Sequence, residues 1–248
     1  MDYLGFAVWC FLVAFGGGLV GLVLGNLRLP LAAVIAASPA AGAGANLGIS
    51  AAAAATASIA HVRAGRVNWR LFAWMAPPSV AGAIVGGYLS GVLPRRVLLG
   101  AIAAVLAYSG IQLLGWEPGP TRERGDGEVD VPAAVLTGAA IGVLGGIVGL
   151  ILGSLRMPAL LRIVGEAPAR AVGTNVTVGF CVGVAGVVGH LPSAAPDWPL
   201  LGVGAAASIP GALLGSRLTG RLSERQLVRA IAAILLVAAA AMVVQAAV

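Results

Sequence analysis

"GLVLGNLRLP" occupies positions 21–30, and "GLILGSLRMP" occupies positions 149–158. Gly21, Leu22, Leu24, Gly25, Leu27, Arg28 and Pro30 all recur in the second phrase. Tyr3 to Leu27 and Leu29 to Ala60 carry no charge, so Arg28 stands alone in an apolar run. Arg156 follows at the same place in its phrase, 156 − 28 = 128 residues on. A permanent cation inside apolar sequence is expensive and reads by default as a functional residue. Finding it twice makes duplication the first question.

The register holds far beyond the phrase. One residue of slippage sets the offset to 129. Gly44 and Asn46 of "GAN" then fall on Gly173 and Asn175 of "GTN", His61 on His190 and Trp69 on Trp198. "SVAGAIVGGYLSGVLPRRVL" (79–98) falls on "SIPGALLGSRLTGRLSERQL" (208–227), and "AIAA" (101–104) on "AIAA" (230–233). The chain reads as a first repeat (1–115), a polar cytoplasmic linker (116–131) and a second repeat (132–248).

Composition sets the class. Of 248 residues, 59% are hydrophobic and 10% charged, with mean hydropathy +0.99. A soluble domain carries about 25% charged residues, so the chain reads as an all-α polytopic membrane protein. All fifteen basic residues are arginine, and the net charge of +6 sits mostly in loops. No basic helix or soluble domain offers a nucleic-acid surface. "MDYLGFAVWC" has no basic leader region and no small-residue cleavage site, so it reads as a first span. Cys10 and Cys181 are not spaced as CxxC and read as small core residues. No P-loop, H-E-x-x-H or carboxylate pair is present, so neither an enzyme nor a cofactor is expected. No acidic residue falls within a long apolar stretch, which leaves no buried carboxylate relay.

Each repeat holds three long apolar stretches, at about 44–61, 71–93 and 97–115 in the first. Each is long enough to cross roughly 30 Å of hydrocarbon. Before them a first span runs to Gly25, the Arg28 phrase follows, and "LAAVIAAS" (31–38) gives only about 12 Å of helix. Two topologies compete. Four spans per repeat make the repeats parallel. Five segments, with the short piece as a broken or re-entrant half-helix at the midplane, make them inverted.

Arginine placement arbitrates, because short cytoplasmic loops carry the excess. The parallel arrangement divides the arginines into Arg63, Arg66, Arg70, Arg122 and Arg124 on one side and ten on the other. The inverted arrangement puts Arg63, Arg66, Arg70, Arg122, Arg124, Arg162, Arg170, Arg217, Arg221, Arg225 and Arg229 inside. Only Arg95 and Arg96 are then outside, with Arg28 and Arg156 within the membrane. We favour the inverted arrangement, with both termini outside.

In that frame Arg28 sits near the midplane at a helix break, with Pro30 in the first turn of the half-helix. Half-helix N-termini facing anions at the midplane are how inverted-repeat carriers hold substrate. Arg28 and Arg156, coming from opposite sides, form an anion site with the two N-termini. The competing reading makes Arg28 a headgroup-level residue that snorkels. Asn46, Thr174 and Asn175 offer hydrogen bonds at similar depth, with helix capping as the plainer role. Asn26, Ser154, Gly25, Gly153, Gly44 and Gly173 complete the candidate substrate site, and Gly21 and Gly149 allow close backbone approach. His61 and His190 end their spans some 22 Å of helix from the asparagines. They read as interfacial anchors or, more sharply, as a proton-linked gate. Trp69 and Trp198 fit an aromatic belt. Gly82/Gly86 and Gly211/Gly215 form small-residue packing faces, which suit internal packing or a homodimer. No metal ligand set is seen.

"AVGTNV" (171–176), "RAGRVNWR" (63–70) and "LPRRVLLGAIAAVL" (93–106) resemble the sulfite exporter TauE/SafE family of bacterial membrane transporters, over roughly residues 5 to 245. The family's glycine-rich phrase, G-x-G-G-G-x-x-x-V-P, departs here: its inner glycines are Leu, Val and Ile, and an arginine is added in each copy. The resemblance implies secondary transport of sulfite or an organic sulfonate across the cytoplasmic membrane. A drug/metabolite-type transporter, a passive anion channel and a non-transporting membrane subunit are the alternatives.

Overall fold

The computed structural model describes residues 3–89, 95–115, 130–148, 151–190 and 195–247. Gly149 and most of the linker (116–129) lie outside them, as do the side chains of Arg95 and His190. Among the described residues the chain is all helix. Ahead of the linker come α1 (Tyr3–Val20), α2 (Gly25–Ile35), α3 (Pro39–Arg63), α4 (Trp69–Tyr88) and α5 (Arg95–Leu114). After it come α6 (Val131–Val148), α7 (Gly153–Ala159) with a π-helical turn (Leu160–Val164), α8 (Pro168–His190), α9 (Trp198–Thr219) and α10 (Glu224–Ala247). α1, α3, α8, α9 and α10 contain stretches long and apolar enough to cross a membrane, as a multi-pass membrane protein requires. α4 carries Arg70, Pro77 and Pro78 among its 20 residues, and α5 is apolar in sequence from Val97 to Leu114.

The break comes earlier than the hydropathy pattern places it. α1 stops at Val20, not Gly25. Gly21 takes φ +67°, and the Leu22 N–H reaches back to the Gly17 carbonyl at 2.9 Å. That is a left-handed glycine cap, a conformation that disfavours any residue with a Cβ. α2 then starts at Gly25 and has 11 residues, about 16 Å of helix. Arg28 and Pro30 therefore lie inside the half-helix rather than at the break. Pro30 is the sixth residue of α2, not in its first turn. Its missing N–H leaves the Asn26 carbonyl without its helical donor. Gln245 of α10 supplies one, donating from Nε2 at 3.0 Å.

Pairing alternates between the two sets of helices. α1 packs along α9, and α4 along α6, the counterpart pair under the repeat. Both seams are parallel and nearly in backbone contact. Gly211 and Gly215 press on the Phe11 and Phe15 carbonyls, and Gly82 and Gly86 on those of Ala139 and Val143. The four packing glycines thus serve internal seams, where small residues let backbones meet. α5 packs on α10, and α3 on α8. The last pair runs antiparallel: Ala51 faces Gly183, while Ser58 donates to Thr177 Oγ1 at 2.9 Å.

Candidate functional site

α2 and α7 project the two arginines into the protein. Each is 1% exposed, among the largest fully buried side chains. Neither is a snorkelling residue. Arg28 is held by three neutral groups. Nε donates to Asn46 Oδ1 at 3.4 Å, one terminal nitrogen to Ser50 Oγ at 2.7 Å, and the other to Ser208 Oγ at 3.3 Å. Among the described residues Arg156 donates to Asn175 alone, at Oδ1 (3.3 Å) and at the backbone carbonyl (3.5 Å), and its Nε has no partner. No carboxylate touches either guanidinium among the described residues. The two share no hydrogen-bond partner among the described residues.

Asn46 and Asn175 are each the eighth residue of their helices, so they are not caps. Ser38 caps α3 instead, accepting from Ala41 N. Asn175 also ties the two breaks together: Nδ2 donates to the Gly21 carbonyl at 2.8 Å and to the Gly153 carbonyl at 3.0 Å. Gly153 lies against Val23 and Asn175, and Gly25 lies against Ser50 and Asn46. A Cβ on Gly25 would sit 2.7 Å from Ser50 Oγ, so glycine is required for that approach. The helix N-caps here are Leu24 and Leu152, which have no side-chain group to satisfy the first N–H groups. Asn26 (6% exposed) and Ser154 (4%) are buried in those first turns, and Asn26 Nδ2 has no partner.

A small cavity adjoins Arg28 and Ser50, walled by Val13, Ala14, Val23 and Ala54. It has room for about one water molecule.

The remaining candidates make no hydrogen bond to either arginine among the described residues. Thr174 is buried and accepts from Asn68 N at 2.9 Å. Gly173 presses on the Arg66 carbonyl, and Gly44 is buried in α3. His61 is no interfacial anchor: it is fully buried, with Nε2 3.2 Å from the Gly18 carbonyl and Nδ1 unpartnered. Close by, Thr219 Oγ1 donates to the Leu19 carbonyl at 2.8 Å, and Arg66 donates to the Ser216 carbonyl at 2.9 Å. Burial lowers the Arg66 pKa from its ordinary value. Trp69 and Trp198 are exposed at the starts of α4 and α9, where a belt would put them.

Ser50 and Ser208 escaped the sequence reading. Ser50 follows Asn46 by four residues on one helix face, a spacing that could have found it. Ser208 carries no such local signal.

Residues 6–242 match the protein-family model described as Sulfite exporter TauE/SafE. No curated protein and no solved structure matches the chain. With that match covering nearly the whole sequence, the chain belongs to the sulfite exporter TauE/SafE family.

Proposed function

We propose that this membrane transporter is a secondary carrier of a small sulfur-containing anion, sulfite or an organic sulfonate, held between Arg28, Arg156 and the first turns of α2 and α7. One observation carries the reading: among the described residues the two fully buried guanidiniums have only neutral partners. An unpaired buried charge costs several kcal/mol, and an anionic ligand removes that cost. Uncapped helix N-termini beside each arginine add to the attraction. Asn46, Asn175 and Ser50 position the guanidiniums, and Asn26 Nδ2 is a spare donor.

The fold behind this site is a pair of inverted repeats, 1–115 and 132–248, joined by a cytoplasmic linker. The support is the swapped pairing of α1 with α9 and α4 with α6, and the antiparallel run of α3 against α8. Counterpart helices related by an axis along the membrane normal would run parallel. The cavity is too small for a sulfonate, so binding requires α1 and α3 to part, which favours a carrier over an open pore.

The test is thermal stability of the detergent-purified protein with sulfite, sulfate, thiosulfate, taurine, isethionate, sulfoacetate and chloride. Arg28→Lys, Arg28→Ala, Arg156→Lys and Arg156→Ala are measured beside wild type. A ligand at 100-fold its Kd adds about 2.7 kcal/mol. One sulfur anion is expected to stabilise wild type and neither alanine variant. Variants that respond like wild type, or no response to any anion, would refute the site.

A further inference from the structure

The loops between α3 and α4 and between α8 and α9 carry matched contacts that the anion site does not use. Under the repeat offset, Asn68 corresponds to Asp197 (197 − 68 = 129) and Ala37 to Glu166 (166 − 37 = 129). Asn68 Oδ1 accepts from Leu71 N at 3.0 Å and so caps α4. Asp197 Oδ1 accepts from Leu200 N at 3.0 Å and so caps α9. Each residue then uses its second side-chain atom across the repeats. Asn68 Nδ2 donates to Glu166 Oε2 at 2.5 Å. Asp197 Oδ2 accepts from Ala37 N at 3.2 Å. The backbone repeats the grip: Asn68 N donates to Thr174 Oγ1 at 2.9 Å, and Asp197 N to the Ala41 carbonyl at 3.2 Å.

The places gripped are joints between helical elements. Ala37 lies in the three-residue joint between α2 and α3, and Glu166 in the joint between the π-helical turn and α8. These joints carry the arms that bear Arg28 and Arg156. The Asn68 contact also touches Thr174, next to Asn175, which holds Arg156. The contacts sit at the N-termini of α3 and α8. Those helices run antiparallel, so the two contacts lie at opposite ends of the molecule.

We propose that the Asn68–Glu166 and Asp197–Ala37 contacts are the two gates of the transport cycle, each latching one arginine-bearing arm at its own membrane face. Both are closed here. Release of the first frees the α7 arm on the arginine-rich side, and release of the second frees the α2 arm on the other. The assignment rests on the carrier reading, but its test does not require the anion.

Ala53, on the cavity wall, is replaced by cysteine in a background with Cys10→Ala and Cys181→Ala. A membrane-impermeant maleimide is applied to right-side-out and to inside-out vesicles, with no substrate present. Glu166→Ala and Asp197→Asn each break one latch and keep the cap on α4 or α9; Glu166 Oε1 also pairs with Arg170 at 3.3 Å, so Arg170→Ala is run beside Glu166→Ala as its control. Each latch variant is expected to speed labelling from one face by about tenfold, the worth of one charge-assisted hydrogen bond, and the two faces must differ. The paired cysteines Asn68→Cys with Glu166→Cys, and Ala37→Cys with Asp197→Cys, joined by a short bis-methanethiosulfonate cross-linker before labelling, are expected to block labelling from the same respective faces. Acceleration from one common face, or labelling unmoved by both latch variants and both cross-links, would overturn the proposal. Anion binding lost with intact face-selective labelling would sink the substrate reading instead.

Discussion

Replacing Asn46 with aspartate puts a counterion beside Arg28 with almost no change of shape. Asn46 Oδ1 already accepts from Arg28 Nε at 3.4 Å. Its amide nitrogen donates to nothing among the described residues, so no donor is lost. At 3.4 Å and an effective dielectric of 20, the new pair attracts by about 5 kcal/mol. Burying the carboxylate takes back several kcal/mol, but the guanidinium is already buried and adds no second penalty. The net is a stabilisation of about 1–2 kcal/mol without added anion. The same charge removes the reason for an anion to bind. Asn46→Asp is therefore expected to melt higher than wild type in anion-free buffer, to show no further stabilisation by the sulfur anion, and to transport nothing in proteoliposomes. A folded Asn46→Asp protein that keeps the wild-type anion response would show that Arg28 does not face the ligand.

Two further outcomes test the packing. Gly215→Val pushes a branched side chain into the Phe15 carbonyl at the α1–α9 seam and is expected to destabilise by about 3 kcal/mol in detergent unfolding, whereas Gly202→Val, with nothing within 4 Å, stays within about 0.5 kcal/mol. Gln245→Leu strips the donor from the Asn26 carbonyl and is expected to cost about 1 kcal/mol; Pro30→Ala restores a helical N–H there, so the double variant must recover most of the loss, and additive costs would refute the pairing.

Much of the candidate site was legible before folding. Arg28 and Arg156 stand out because a cation in apolar sequence is costly wherever it is not solvated, and duplication doubled the signal. Asn46 and Asn175 followed from register, and each does contact the arginine of its own repeat. The small-residue faces at Gly82/Gly86 and Gly211/Gly215 were readable from spacing, because close helix approach needs two missing side chains one turn apart.

The location of the break was not legible. Hydropathy sees residues 21–24 as one more apolar turn, since Gly, Leu and Val read alike inside or outside a helix. Gly21 can end α1 there because Val172 of α8 packs on it and Asn175 Nδ2 donates to its carbonyl. Pro30 can sit in mid-helix because Gln245, 215 residues away (245 − 30 = 215), fills the gap it leaves. Ser208 reaches Arg28, and Asn68 reaches Glu166, across the repeats with no periodicity to announce them. By itself the sequence determined a membrane chain, its duplication and the two lone arginines in apolar sequence, because those depend on composition and register. The tertiary structure alone decided where each helix breaks and what each buried polar group meets, because inside a bilayer a free backbone group must find its partner in another segment of the protein.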